Sequence, residues 1–278
     1  MTSCPLCGAP ARAVGRREGF EYWECRPCGF RFVSPEASRP APFERDYFES
    51  DAGEYGDYAA EEHSHRRAAR RHLARLRRAG LATGRLLEVG CAAGFFLDEA
   101  RRAGWEVSGV ELSAWAVDRA RGRRGLSVVN APFLEAPLDP AGYDLVVLLD
   151  ALECLEGPRA VEGRLWEVVR PGGHVAIETW DWTSPAARLM GMSWHQYSPR
   201  YLRCLYSRRA LHALFPSPRW HLRTIATATK WVSAARALDV LSCRYGVRWP
   251  RPWIEAARHV PVPYRLGDLL WVVVRRES

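Results

Sequence analysis

Several things this 278-residue chain lacks narrow its class before any motif is read. Lysine is almost absent: of 40 lysines and arginines only Lys230 is a lysine, so the net charge of +8 rests on guanidinium groups. No apolar run approaches the roughly 18 residues that a membrane-spanning helix needs, so no membrane partner is expected. The start, MTSCPLCG, has neither the charged nor the apolar region of an export signal, which predicts a cytoplasmic protein. Without such a signal, the eight cysteines do not read as a secreted disulfide framework. Also missing is the dinucleotide fingerprint G-x-G-x-x-G. The nearest stretch, LLEVGCAAGFFLDEA, has Ala92 at the second glycine and Phe95 at the third. Those side chains hinder the close backbone approach that a pyrophosphate demands.

What is present begins with four of the cysteines. Cys4/Cys7 and Cys25/Cys28 form two C-x-x-C-G knuckles, while Cys91, Cys154, Cys204 and Cys243 are scattered singly. Each knuckle is a tight turn that aims two thiolates at one ion, so the spacing predicts a tetrahedral zinc site with a two-stranded hairpin over 12–16 and 20–24. Four protein thiolates leave no open coordination position, so the ion is structural. Residues 1–38 form this ribbon. A proline-rich linker, SPEASRPAP, follows, and residues 39–80 form an arm. In the arm, aromatics alternate with acids, and then a helix carries the narrow apolar stripe Ala69, Leu73, Leu76 and ends near Gly80. Its many arginines read first as a solvated face, with a phosphate-binding patch or an RNA track as the minority readings.

From residue 81 to 278, short apolar runs alternate with helical spacing: RLLEV, WEVSGV, LSVV, YDLVVLL and HVAIE. That alternation predicts a parallel, doubly wound α/β sheet, whose ligands lie outside the carboxyl ends of the strands. The positions that follow those runs are Gly90–Gly94, Glu111, Asp150 and Glu178. S-adenosylmethionine carries no phosphate, and the loop E-x-G-x-A-x-G can pass close to its ribose and methionyl chain.

LLEVGCAAGFFL resembles motif I of class I S-adenosylmethionine-dependent methyltransferases, and WEVSGVELSAWAVDRAR, NAPFLEAPLDPAGYDLVVLLDALECLEGP and LWEVVRPGGHVAIETW resemble the motifs that follow it. The double knuckle, the linker, Tyr47–Phe48 and Tyr55/Tyr58 are similar to those of bacterial zinc-ribbon methyltransferases of polysaccharide, sugar and natural-product biosynthesis. The resemblance implies a Rossmann-like fold: a seven-stranded, mostly parallel sheet with its last strand antiparallel, preceded by a zinc ribbon and a helical arm. It implies a cofactor site of Tyr55, Tyr58, Glu88, Gly90, Cys91, Ala92, Gly94, Phe95, Phe96, Glu111, Leu112, Ser113, Pro132, Phe133, Asp150 and Ala151. Glu111 would accept both ribose hydroxyls, a task for two acceptor oxygens. Two positions depart from the pattern. Pro132 stands where many relatives have the Asp that receives the adenine amino group. Cys154 stands where His is common, and a thiol of ordinary pKa about 8.5 is no base when neutral.

A sulfonium methyl is already electrophilic, so the enzyme's main task is alignment, and a hydroxyl acceptor adds the need for a proton sink. Among the histidines, His195 lies in a segment of about 180–206 that should cover the substrate, among Trp180, Trp182, Trp194, Tyr197 and Tyr201. His195 is the expected general base, assisted by Tyr197 or Asp150. The expected reaction is O-methylation, or N-methylation, of a small-molecule or glycan acceptor. Larger zinc-ribbon sugar C-methyltransferases have a further C-terminal domain, which weighs against C-methylation. An RNA methyltransferase and a non-catalytic cofactor-binding scaffold are the competing readings.

Overall fold

A computed structural model of the chain describes residues 2–34, 43–49, 58, 61–235, 238, 249–257 and 260–278. The N-terminal hairpin forms where its pattern predicts, as β1 (Arg12–Arg17) and β2 (Phe20–Cys25), and β3 (Phe30–Val33) extends it. In the arm, α1 (Arg45–Glu49) precedes α2 (Glu62–Arg78). Ala69 and Leu76 of α2 are buried, and the helix stops before Gly80, whose φ of 82° only glycine adopts readily.

The core then alternates as expected: β4 (Gly84–Val89), α3 (Phe95–Arg102), β5 (Trp105–Glu111), α4 (Ala114–Arg124), β6 (Val128–Asn130), β7 (Tyr143–Leu149), α5 (Pro158–Val168) and β8 (Val169–Trp180). β8 begins earlier than its apolar run HVAIE, and its pairing with β7 skips from Val169 to His174 around the Pro-Gly-Gly stretch. After it come α6 (Pro185–Met190), β9 (Cys204–Leu205), α7 (Arg208–Leu214), β10 (Trp220–Thr227), β11 (Lys230–Ser233), β12 (Pro261–Tyr264) and β13 (Leu269–Arg276).

Seven strands make one sheet in the order β10-β13-β8-β7-β4-β5-β6, with β13 antiparallel to both neighbours. This is the sheet that the resemblance implies. Successive side chains on a strand point to opposite faces, so each central strand feeds two cores. Leu87, Val146, Leu148 and Ile177 pack with Val161, Leu165 and Leu211 on one side. Leu86, Leu145, Val147 and Ala176 pack with Leu76, Leu97 and Val117 on the other.

Two features were not legible in the sequence. First, β9 leaves the core to pair with β3, which makes a four-stranded sheet in the order β1-β2-β3-β9. Second, the chain between the last two strands of the large sheet forms its own antiparallel hairpin, β11 with β12. Both pairings join distant segments, and nothing in the local residue pattern distinguishes such a strand from a loop. No helix among the described residues is long and apolar enough to cross a membrane.

Candidate active site

The loop after β4 is shaped by its small residues. Gly90 has φ of 72° and Gly94 φ of 80°, and a Cβ at Gly94 would lie 2.5 Å from Leu126 Cδ1. Ala92 is also left-handed, at φ of 46°, a conformation that costs a non-glycine residue roughly 1–2 kcal/mol. Its N–H donates to Glu111 Oε2 at 2.8 Å, and the Ser113 N–H donates to Oε1 at 2.8 Å. Glu111 therefore ties the β4 loop to the start of α4 before any ligand arrives. Burial pushes its carboxyl up, and the N–H groups of Ser113 and Ala92 oppose this. Each oxygen keeps a second lone pair for a hydroxyl.

Leu112, just after β5, is half exposed, and Phe133 is buried in the core. Pro132 is exposed. Asn130, which sequence reasoning missed, donates to the carbonyls of Glu111 and Leu112 at 3.0 and 2.9 Å and so sets that turn. Glu88 is 4% exposed, and its Oε2 has no protein partner. Burial raises its carboxyl well above the ordinary value, and neighbouring Glu111 adds to the effect. Cys91 and Phe96 are buried in the core beneath the loop. Tyr58, from the arm, packs 4.2 Å from the His65 ring and 5.5 Å from that of Phe95. The arm is further held by Phe48, stacked on Trp115 at 4.8 Å. Tyr55 lies outside the described residues.

At the ends of β7 and β8 a second group of polar side chains gathers. Asp150 adopts φ of 52°, and its carboxylate accepts from Trp180 Nε1 at 3.1 Å and from the ammonium of Lys230. Glu153 accepts from Thr179 Oγ1 and from the Trp180 N–H at 2.5 and 2.9 Å. Burial raises its carboxyl to about 7, opposed by the Thr179 hydrogen bond. Burial also raises the Glu178 carboxyl, to about 8, with Asp150 adding to this and Lys230 and Arg75 opposing. Cys154 cannot replace the common His, since burial pushes its thiol well above the ordinary value.

His195 is exposed. Its ring lies edge-on to Trp180 at 5.0 Å, to Trp194 at 5.7 Å and to Tyr264 at 5.8 Å. Through Trp180 it shares a neighbourhood with Asp150. Tyr197 meets this group through Trp194, whose ring lies edge-on to it at 5.9 Å. It is 2% exposed, its hydroxyl accepts from Arg31, and its ring packs on Tyr22 of the ribbon at 4.8 Å. That position lies between ribbon and cover, with the hydroxyl turned to Arg31.

In the ribbon, the ligand sulfurs of Cys4, Cys7, Cys25 and Cys28 all lie within 4.8 Å of one another. The Cys4–Cys28 and Cys7–Cys25 separations are 3.6 and 3.4 Å. Tetrahedral zinc with Zn–S near 2.3 Å needs sulfurs about 3.8 Å apart, so the four thiols fit that ion.

A doubly wound sheet, a glycine-bounded loop after its first strand and a carboxylate at the end of the second define a nucleoside-cofactor enzyme of the methyltransferase class. The profile of a methyltransferase-domain family matches residues 61–217, more than half of the chain, and the protein belongs to that family. It is an S-adenosylmethionine-dependent methyltransferase. Solved structures share the fold. An S-adenosylmethionine-dependent methyltransferase from Mesorhizobium loti is 19% identical with a TM-score of 0.50, covering 73% of this chain and 96% of its own. The YcgJ protein of Bacillus subtilis is 14% identical with a TM-score of 0.53, covering 75% and 99%. A protein studied for the conversion of a disulfide bond into a thioacetal group during echinomycin biosynthesis is 19% identical with a TM-score of 0.51, covering 74% and 82%. Among curated proteins, none matches the sequence significantly.

Proposed function

We propose that the protein transfers a methyl group from S-adenosylmethionine to an oxygen, or a nitrogen, of a sugar, glycan or secondary metabolite. The cofactor supplies an electrophilic methyl on a sulfonium. Glu88, the Gly90–Gly94 loop, Glu111 and Leu112 would hold it, and a structural zinc would sit between Cys4, Cys7, Cys25 and Cys28. Glu88 offers its unpartnered oxygen to a cationic group, Glu111 offers lone pairs to a ribose, and exposed Leu112 offers an apolar floor to the adenine.

The observation that carries the acceptor reading is the exposed His195 ring among Trp180, Trp194 and Tyr264, with Asp150 accepting from Trp180 Nε1. His195 takes the acceptor's proton as the new bond to carbon forms. The arginines of α2 support this reading over an RNA track, because several already have partners inside the molecule. Arg66 binds Asp98 and Glu99 at 2.8 Å, Arg70 binds Glu99, and Arg71 lies 4.1 Å over the Trp231 ring.

Methyl-labelled cofactor, offered with a panel of nucleotide-linked sugars, glycosides and polyhydroxylated metabolites, tests the reading. His195→Ala should lower turnover of the accepted compound at least 100-fold and leave affinity for the demethylated cofactor unchanged. Wild-type turnover by that variant would remove His195 from the mechanism.

A further inference from the structure

The hairpin between β10 and β13 carries the chain's single lysine. Lys230 and Tyr264 are direct cross-strand partners in β11 and β12. Residues so paired share a face of the hairpin. That face meets Trp180: the Lys230 ammonium lies 5.3 Å from the indole centroid, and the Tyr264 ring lies edge-on at 5.7 Å. The hairpin therefore delivers a cation and a phenol to the residues that flank His195. Tyr264 is held there by its hydroxyl, which donates to Asp268 at 2.7 Å, and the same carboxylate oxygen accepts from Trp194 Nε1 at 2.9 Å.

Lys230 also reaches the end of β7, where it binds Asp150. The two side chains are 29% and 23% exposed, so the pair presents one side to solvent instead of closing on itself. Asp150 occupies the left-handed region, a strained state that persists in proteins chiefly where surrounding structure and function require it. Arginine serves at every other strongly basic position of the chain, and here it would not serve as well. A guanidinium is a rigid planar fork, whereas an ammonium is compact and turns its three donors independently. One donor can stay on Asp150 while another reaches a ligand.

We propose that the β11–β12 hairpin is the acceptor-recognition element and that Lys230 with Asp150 reads two adjacent hydroxyls of a polyhydroxylated acceptor beside His195. This rests on the sugar or metabolite reading above and narrows it. The ammonium donates to one hydroxyl oxygen, and the neighbouring hydroxyl donates to the Asp150 carboxylate. An acceptor with a lone hydroxyl satisfies only half of the pair. Lys230 is thus a specificity-determining residue that binds the acceptor without exchanging its proton.

The test compares Lys230→Met and Lys230→Arg with the wild type on the diol acceptor found in the panel and on its monodeoxy analogue. Lys230→Met should lower kcat/KM for the diol about 100-fold and Lys230→Arg about 10-fold, with affinity for the demethylated cofactor unchanged. The deoxy analogue should be poor for the wild type and no poorer for Lys230→Met. An undiminished Lys230→Met, or one that loses equally on both compounds, overturns the inference and leaves the His195 reading intact. Wild-type turnover confined to compounds without adjacent hydroxyls overturns the inference alone, whereas cofactor binding with no turnover of any compound in the panel overturns both.

A second measurement needs no turnover. Because Lys230 holds the only ε-amine, reductive methylation with formaldehyde and a borane reports on this position and the α-amino group alone. With demethylated cofactor present, a methyl glycoside bearing adjacent hydroxyls should slow modification of Lys230 several-fold, and its monodeoxy counterpart should not. Equal rates with both glycosides count against the proposal.

Discussion

The ribbon and the catalytic face handle charge and burial in opposite ways. In the ribbon sheet, burial pushes the Glu24 carboxyl up, but the hydrogen bond and charge of Arg31 outweigh it and bring the group below its ordinary value. Arg31 is 2.6 Å from Glu24 and lies 3.6 Å over the Trp182 ring, so it joins ribbon to cover while its charge is matched. At the ends of β4, β5, β7 and β8 the carboxyls of Glu88, Glu111, Glu153 and Glu178 are buried and all pushed upward. The lesson concerns purpose. Where side chains only hold structure, partners come from the chain itself. On the sheet face, Glu88, Glu153 and Glu178 each keep an oxygen that no protein donor fills, the arrangement that a ligand site would need.

The largest effect that sharpens this contrast should come from the metal site. In zinc-finger peptides structural zinc carries apparent free energies of roughly 10–16 kcal/mol, and a zinc held by these four thiols would contribute on that scale to a ribbon this small. Removing the metal with a chelator, or substituting Cys25→Ala, should unfold the ribbon and release what rests on it. The dependent contacts are the β3–β9 pairing, the Trp182 indole N–H donated to the Gly29 carbonyl at 2.9 Å and the Arg17 bond to the Met192 carbonyl at 2.7 Å. Hydrogen exchange should then rise across 182–206 and stay low in β4, β7 and β8. Uniform loss of protection in both regions would show that ribbon and sheet are one cooperative unit.

An intermediate effect is expected at Glu111. Glu111→Ala leaves the part-buried N–H of Ala92 and the buried N–H of Ser113 without their acceptor, at about 1–3 kcal/mol for the buried one, and would remove the proposed ribose partner. Calorimetry with the demethylated cofactor should show affinity reduced at least 100-fold, while the zinc content stays at one per chain. Unchanged affinity would separate Glu111 from the cofactor.

A third effect, absent at low pH and growing only as pH rises, comes from Glu178. Glu178 holds its proton in the fold up to about pH 8, whereas the unfolded chain releases it near 4.5. Between those values the folded state binds the extra proton, so this group's contribution to stability declines as pH rises. Its Oε2 lies 3.8 Å from His72 Nε2 and 3.8 Å from Arg75 Nη1, too far for either to hold it ionised by a direct hydrogen bond. Glu178→Gln should remove a slope of up to about 1.4 kcal/mol per pH unit between pH 5 and 8, visible as melting curves that diverge from wild type with rising pH. Parallel curves would mean that Glu178 ionises in the fold.

Much of the architecture was legible in the residues. The knuckles, the period of the strands and the glycine-bounded loop each act over short stretches of chain, where spacing alone fixes which groups can meet. The place of Glu111 at the end of β5 was legible because the apolar run before it sets where the strand stops. The packing of Tyr197 on the ribbon was not legible, because an aromatic in a covering segment can face either way and the pattern does not say which. Lys230 could have been singled out only by its rarity, since it lies far along the chain from Asp150.

The sequence by itself therefore determined the doubly wound sheet, the four-thiol cluster and the cofactor loop, because each follows from local spacing. Only the tertiary structure decided that β9 belongs to the ribbon sheet, that Arg66, Arg71 and Arg75 of α2 find partners within the fold while Arg67, Arg70, Arg77 and Arg78 stay exposed, and that β11 and β12 carry Lys230 and Tyr264 to Trp180. Those are pairings across 80 residues or more for Lys230 and Asp150, and 170 or more for β3 and β9. Loop closure at such distances is set by the packing of the whole chain and leaves no mark on the residues between.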